Sequence, residues 1–180
     1  MSTATEGTPG GAAPDPTLMD PAIARDWTLW SPLVGRTAMT RIESAAGAVP
    51  EVTSAILATA VGLRICSLGL EDDDADRLAA LNGSLFGVAR AEARIVASAE
   101  DEAQVLDPER GGGLARMFGT AVSLTVGDTH TVVHSLVVPP FGQLLLGVSA
   151  REVQLGTLMV TARQAAREVA YALGESTTGL

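Results

Sequence analysis

Hydrophobic positions along this chain follow two periods, and the switches between them mark out the elements. Val34, Ala38, Ile42, Ala45 and Val49 recur at steps of four, four, three and four, which is one face of a helix. Ser31-Pro32 marks its start, and Gly47 and Pro50 mark its end. Asp20-Pro21 gives the same start signal and predicts a short helix over about Pro21–Trp30. Trp27 and Trp30 stand three apart and share a face of it. Docking of that face onto the domain is the plain reading; a partner anchor is the alternative.

The period then shortens. Thr53–Thr59 is β-branched and apolar, and Leu63–Leu68 alternates, so the stretch reads as a hairpin turning near Ala60–Gly62. Glu71–Asp74 and Asp76 then head a long helix, where negative charge suits the positive N-terminal end. Leu78, Leu81, Leu85 and Val88 mark one stripe of that helix. Ala80, Gly83, Ser84, Gly87 and Ala91 put small residues on neighbouring faces. Glycine inside a helix costs about 1 kcal/mol relative to alanine. Two of them point to close approach of another backbone, either the sheet beneath or a second copy of the helix.

Thr120–Val126 and Thr129–Val138 are strongly β-branched and joined by Gly127-Asp128, a tight-turn pair. Pro139-Pro140-Phe141-Gly142 turns the chain into a further strand over Gln143–Val148. Ser149-Ala150-Arg151-Glu152 has the spacing of a capping box. Leu158, Ala162, Ala165, Val169 and Leu173 give a last helix, from about Glu152 to Leu173, its buried face, and Gly174 is a natural stop. The fold class is therefore α+β: a five-stranded antiparallel sheet flanked by helices, in the order α-β-β-α-β-β-β-α.

Composition adds boundaries to this frame. Residues 1–19 are rich in Gly, Pro, Thr and Ala without period and read as a disordered tail, followed by a short helical extension over 20–31. The domain proper spans 32–174, and residues 175–180 read as a disordered C-terminus. Ser98–Gly119 is a long insertion with five acids and Gly111-Gly112-Gly113. Its Leu114–Phe118 stretch is long enough for one helical turn against the core. The aromatic content is only 3% in a chain that is 47% hydrophobic, so the core is built from Ala, Val, Leu and Ile. The net charge of −9 without any basic run argues against nucleic acid as a partner. No apolar run approaches the roughly 20 residues that membrane insertion needs. The start of the chain lacks the charged and apolar regions of a signal peptide. Cys66 is the single cysteine, so an intrachain disulfide is impossible and a cytoplasmic setting is expected.

Reactive side chains are sparse and scattered. His130 and His134 fall on one sheet face but roughly 13 Å apart at strand rise, too far to share one metal ion. Ser135 points to the opposite face from His134, so the two form no nucleophile–base pair. Cys66 lies inside a strand with no neighbouring base and reads as a small buried hydrophobe. The acids of Glu71–Asp76 lack the bracing glycine and terminal Glu of a calcium loop. The triple glycine is not followed by Gly-Lys-Ser/Thr, so the phosphate-loop pattern fails. No catalytic residue, no metal site and no cofactor is expected, and the chain reads as a surface for partners rather than an enzyme.

Several stretches resemble the Roadblock / dynein light chain family, whose domains are profilin-like or longin-like in shape. Ile56–Leu70 is similar to its first hairpin, with Gly62-Leu63-Arg64-Ile65 at the turn and second strand. Asp74-Ala75-Asp76-Arg77-Leu78-Ala79-Ala80-Leu81 resembles the start of its central helix. Leu144–Val148 resembles its last strand, and Leu155-Gly156-Thr157 the step into its last helix. The likeness covers about Pro32–Leu173. The chain departs from the family pattern at Val61, where an acidic residue often precedes the turn glycine, in the long Ser98–Gly119 segment, and in the tryptophan-bearing extension.

The resemblance implies a non-enzymatic, homodimeric adaptor or regulator of bacterial type, acting in signalling with a small Ras-like GTPase. It would stimulate hydrolysis or scaffold a complex. A ligand- or signal-sensing module of similar shape is the alternative. Pairing through the central helix would place Leu81, Ser84, Leu85, Gly87, Val88 and Ala91 in the interface, and pairing of a free edge strand would remove an association hazard.

Overall fold

The computed structural model describes residues 15, 17–96 and 118–178. Helices α1 (Pro21–Arg25) and α2 (Trp27–Gly47) precede a hairpin of β1 (Val52–Thr59) and β2 (Arg64–Leu68). Helix α3 (Asp72–Val96) leads on to a meander of β3 (Phe118–Val126), β4 (Thr129–Val138) and β5 (Gly142–Arg151), and α4 (Leu155–Thr178) closes the domain. The strands form one antiparallel sheet in the order β2-β1-β5-β4-β3. This is the expected α+β architecture.

The sheet divides two unequal layers. On one side, α2 and α4 pack against each other and against the strands. Strand alternation sends Leu57, Val132, Leu136, Leu144, Leu146 and Val148 to that side, where they meet Val34, Ala38 and Ile42 of α2 and Leu158, Ala162 and Val169 of α4. This is the main core. On the other side α3 is the only helix among the described residues. Ala75 and Ala79 pack on Ile56 and Ala58, and Phe86 packs on Val133 and Leu145. The small alanines let the helix approach the sheet closely.

Several local expectations are corrected. Asp20 does cap α1, accepting the Ala22 amide at 2.7 Å, with proline next to it. The break between the two N-terminal helices sits at Asp26, however, and Pro32 lies inside α2. One missing backbone donor in the second turn is offset by the burial of Val34, Ala38 and Ile42 further along the same helix. Trp27 and Trp30 pack against the main core, and Trp30 meets Phe141 edge-on with ring centres 6.2 Å apart. The two tryptophans dock the extension onto the domain.

Ser149 is no helix cap. It lies in β5 and its hydroxyl bonds that of Thr131 at 2.9 Å. The strand runs on to Arg151, Glu152 takes a left-handed turn at φ 54°, and α4 begins only at Leu155. Nor does Gly174 stop α4, which continues to Thr178 through part of the expected disordered C-terminus. Most of the expected N-terminal tail lies outside the described residues. Its last residues, Thr17–Met19, lie against the turn into β5. The 98–119 insertion and its triple glycine also lie outside the described residues, apart from Phe118 and Gly119. Phe118 begins β3 rather than ending a helical turn.

Candidate functional site

The residues that could carry chemistry are kept apart by the sheet. His134 faces α2 and α4 and is only 7% exposed; its Nε2 has no partner among the described residues. Burial lowers its pKa below the usual histidine range, and the positive charge of Arg163 on α4 adds to the effect. Ser135 faces the opposite layer and accepts from Gln143 Nε2 at 2.7 Å. His130 Nδ1 pairs with Thr125 Oγ1 at 2.8 Å. Cys66 is half-buried beneath α2, where Gly35 lets the helix pass close to β2. Burial pushes its thiol up to about 11, away from the reactive range. Among the described residues no group of His, Cys, Asp and Glu could hold a metal ion, and no helix is long and apolar enough to cross a membrane.

The neutral, unpaired His134 makes acid stability a test of the packing. The unfolded chain takes up a proton near the ordinary histidine pKa, and the folded chain resists it. Stability is therefore complete above that pH and falls as the pH drops below it. Thermal melts should lose several degrees between about pH 7.5 and about pH 5.5. The loss should shrink in His134→Leu, which removes the titrating group and the unpaired nitrogen together. An unchanged pH dependence in that variant would show that His134 is not the responsive group.

Helix α3 presents a different kind of site. Its sheet-facing side is Ala75, Ala79, Asn82 and Phe86, all buried. The opposite side is apolar and uncovered: Leu81 is 64% exposed, Val88 66% and Ile95 86%. These three recur at steps of seven, with Ser84, Leu85 and Ala91 between them, the spacing of a helix–helix seam. The seam carries no stray polar group at Ser84, whose hydroxyl donates to Ala80 O at 3.0 Å. The structure thus places all six sequence-proposed interface residues on one stretch of α3. Ser84, Gly87 and Ala91 are exposed or partly exposed beside Leu81 and Val88, and Leu85 is half-buried. Ile95 escaped the sequence reading, although its sevenfold step from Val88 was there to be seen.

The two glycines of α3 do different work. A Cβ at Gly83 would lie 3.0 Å from the Gly62 nitrogen, so this glycine lets the helix cross the hairpin turn. A Cβ at Gly87 would meet nothing within 4 Å among the described residues. A third glycine, Gly147 of β5, leaves room for the Asn82 side chain; a Cβ there would stand 2.5 Å from Asn82 Nδ2. The helix is anchored at its start by Arg64, which pairs with Asp72 at 2.5 Å and Asp76 at 2.6 Å. Further along, Arg90 Nη1 donates to Gln143 Oε1 at 3.0 Å. These polar ties hold α3 in place while leaving its outer stripe free of described neighbours.

A sequence model of the Roadblock/LC7 domain matches residues 41–115, from the middle of α2 past the end of α3. Over that stretch the chain is similar to the Roadblock/LC7 domain. Among solved structures, the gliding protein MglB of Thermus thermophilus shares the fold, with a TM-score of 0.57 at 16% identity over 79% of this chain and 92% of that one. A Roadblock/LC7 domain from Streptomyces avermitilis matches at 22% identity over 72% of this chain and 88% of that one, with a TM-score of 0.46. MglB of Myxococcus xanthus matches at 14% identity over 77% and 85%, with a TM-score of 0.49. Comparison with curated proteins gives no match.

Proposed function

We propose that this chain is a Roadblock/LC7-like homodimeric adaptor that pairs through the outer face of α3 and docks a small Ras-like GTPase. The observation that carries the reading is the uncovered sevenfold stripe of Leu81, Val88 and Ile95 on a helix whose other side is fully engaged. An apolar seam of this length on a free surface is an association site. A twofold axis across it would let the same patch serve both copies. Leu81, Ser84, Leu85, Gly87, Val88 and Ala91 are the proposed contacts. The GTPase follows from the family resemblance. The single, inert thiol suits a cytoplasmic setting for such a pair.

A regulator shifts a two-state partner only by binding one state better than the other. Of the two routes to faster hydrolysis, ordering the GTPase's own catalytic residues is favoured over insertion of an arginine finger. No arginine is marked out by the sequence for that role. Calorimetry of the full chain against a small Ras-like GTPase encoded beside its gene, loaded with GDP or a GTP analogue, tests the proposal. Binding that prefers one nucleotide state is expected. Equal affinity for both states, or none for either, would overturn the regulatory reading.

A further inference from the structure

The segment ahead of α1 is held on the domain by two backbone hydrogen bonds. Gln143 N donates to Thr17 O, and Asp20 N to Pro140 O, both at 2.9 Å. Gly142, at φ 74°, permits the contact, because a Cβ there would fall 2.6 Å from the Met19 nitrogen. The strap so formed walls a cleft of about 400 Å³ together with the β1–β2 turn and the second half of α3. That volume lies in the range of small-molecule pockets.

The lining has two chemistries. Met19, Trp27 and Phe141 form an apolar interior. Leu18, Val61 and Leu63, at the rim, are among the exposed large hydrophobic residues of the domain. Against these stands one cation among the described lining residues, Arg90. It is half-buried, donates to the neutral Gln143 Oε1, and forms no ion pair among the described residues. Gln143 is in turn fixed by its bond to Ser135, so the guanidinium is held in place. The field of Arg90 also reaches the strap. Asp15 is held below the usual carboxylate range first by the Thr17 amide and hydroxyl, with Arg90 adding to the effect through space.

The backbone around the cleft is already paired. Thr59 N donates to Leu63 O, Ala60 N to Gln143 O and Gln143 N to Thr17 O. An extended peptide would find no free strand edge among these groups. The occupant that fits is a small amphipathic molecule with one negative end.

We propose that this cleft binds an aliphatic monocarboxylate, with its carboxylate on Arg90 and its chain between Trp27, Phe141 and the Leu18–Val61–Leu63 rim. The site is separate from the α3 seam and independent of the GTPase reading. Arg90 is the binding residue and Gln143 its positioning residue.

Trp27 lies in the cleft and provides the signal. The full chain is titrated with decanoate, with decanol as the uncharged control, while tryptophan fluorescence is followed. A saturable change with decanoate is expected, with decanol weaker by about tenfold or more, the value of one charge-assisted contact. Arg90→Met should weaken decanoate by about tenfold and leave decanol unchanged. Leu18→Asp, on an exposed strap residue whose replacement spares the fold, should weaken decanoate even if Arg90→Met fails to fold. Equal affinity for decanoate and decanol, no saturable change, or unaltered decanoate affinity in Leu18→Asp would each overturn the proposal.

Discussion

Gly87→Trp is expected to split the proposed homodimer into folded monomers. Gly87 is exposed on α3 between Leu85 and Val88, with open space where its side chain would be. A Cβ there meets nothing within 4 Å among the described residues, and tryptophan is a better helix former than glycine. The monomer should therefore keep its melting temperature or gain slightly. Across a twofold axis the bulky ring is met twice. Overpacking costs about 1–3 kcal/mol per site, so the dimer should weaken by at least about thirtyfold. Light scattering together with a thermal melt separates the two effects. A variant that unfolds would place Gly87 in the core; a variant that stays dimeric would remove α3 from the interface.

Gly62→Val should cause the largest loss of fold stability among single changes at the hairpin. Gly62 sits at φ 85°, where a β-branched residue is strained. Its Cβ would stand 2.9 Å from Ala80 Cα and 3.2 Å from Ala79 O. Both obstacles are backbone atoms, which cannot rotate aside. Left-handed strain costs about 1–3 kcal/mol and overpacking a similar amount. A loss of about 3 kcal/mol or more is expected, lowering the melting temperature by roughly 10 °C. Because the strain lies where α3 crosses the turn, the helix should show faster amide exchange before the sheet does. A melting temperature within a degree or two of the parent would show that the turn relaxes freely.

The features legible in the sequence are those with strong local causes. Gly127-Asp128 turns β3 into β4, with Gly127 at φ 61°, because a two-residue loop demands that conformation. Asp72, Asp73 and Asp74 do begin α3. Features decided by packing were less legible. Ser31-Pro32 has the form of a helix start, yet α2 is already under way at Trp27, and the core contacts of Val34, Ala38 and Ile42 carry it through the proline. Ser149 has cap chemistry, but its hydroxyl is taken by Thr131 across the sheet. Nothing local marks that long-range partner.

Helix α3 shows the same limit from the other side. Periodicity picks out Leu78, Leu81, Leu85 and Val88 without saying whether the stripe faces a core or a partner. The structure separates them: Leu78 and Leu85 are half-buried, and Leu81 and Val88 are exposed. The inner face relies on Ala75, Ala79 and Asn82, small or polar residues that a hydrophobic pattern ranks low. Their role becomes visible only with Gly147 of β5 opposite, since its missing side chain makes the room that Asn82 fills. A contact between residues so far apart in sequence leaves no mark on either local pattern.

Sedimentation velocity of the full chain at micromolar concentration tests the pairing across α3 most directly. One species of twice the 18.4 kDa chain mass is expected, shifting to the single-chain mass in Gly87→Trp. A stable wild-type monomer under the same conditions would contradict it, because the stripe of Leu81, Val88 and Ile95 would then have no second copy to cover it.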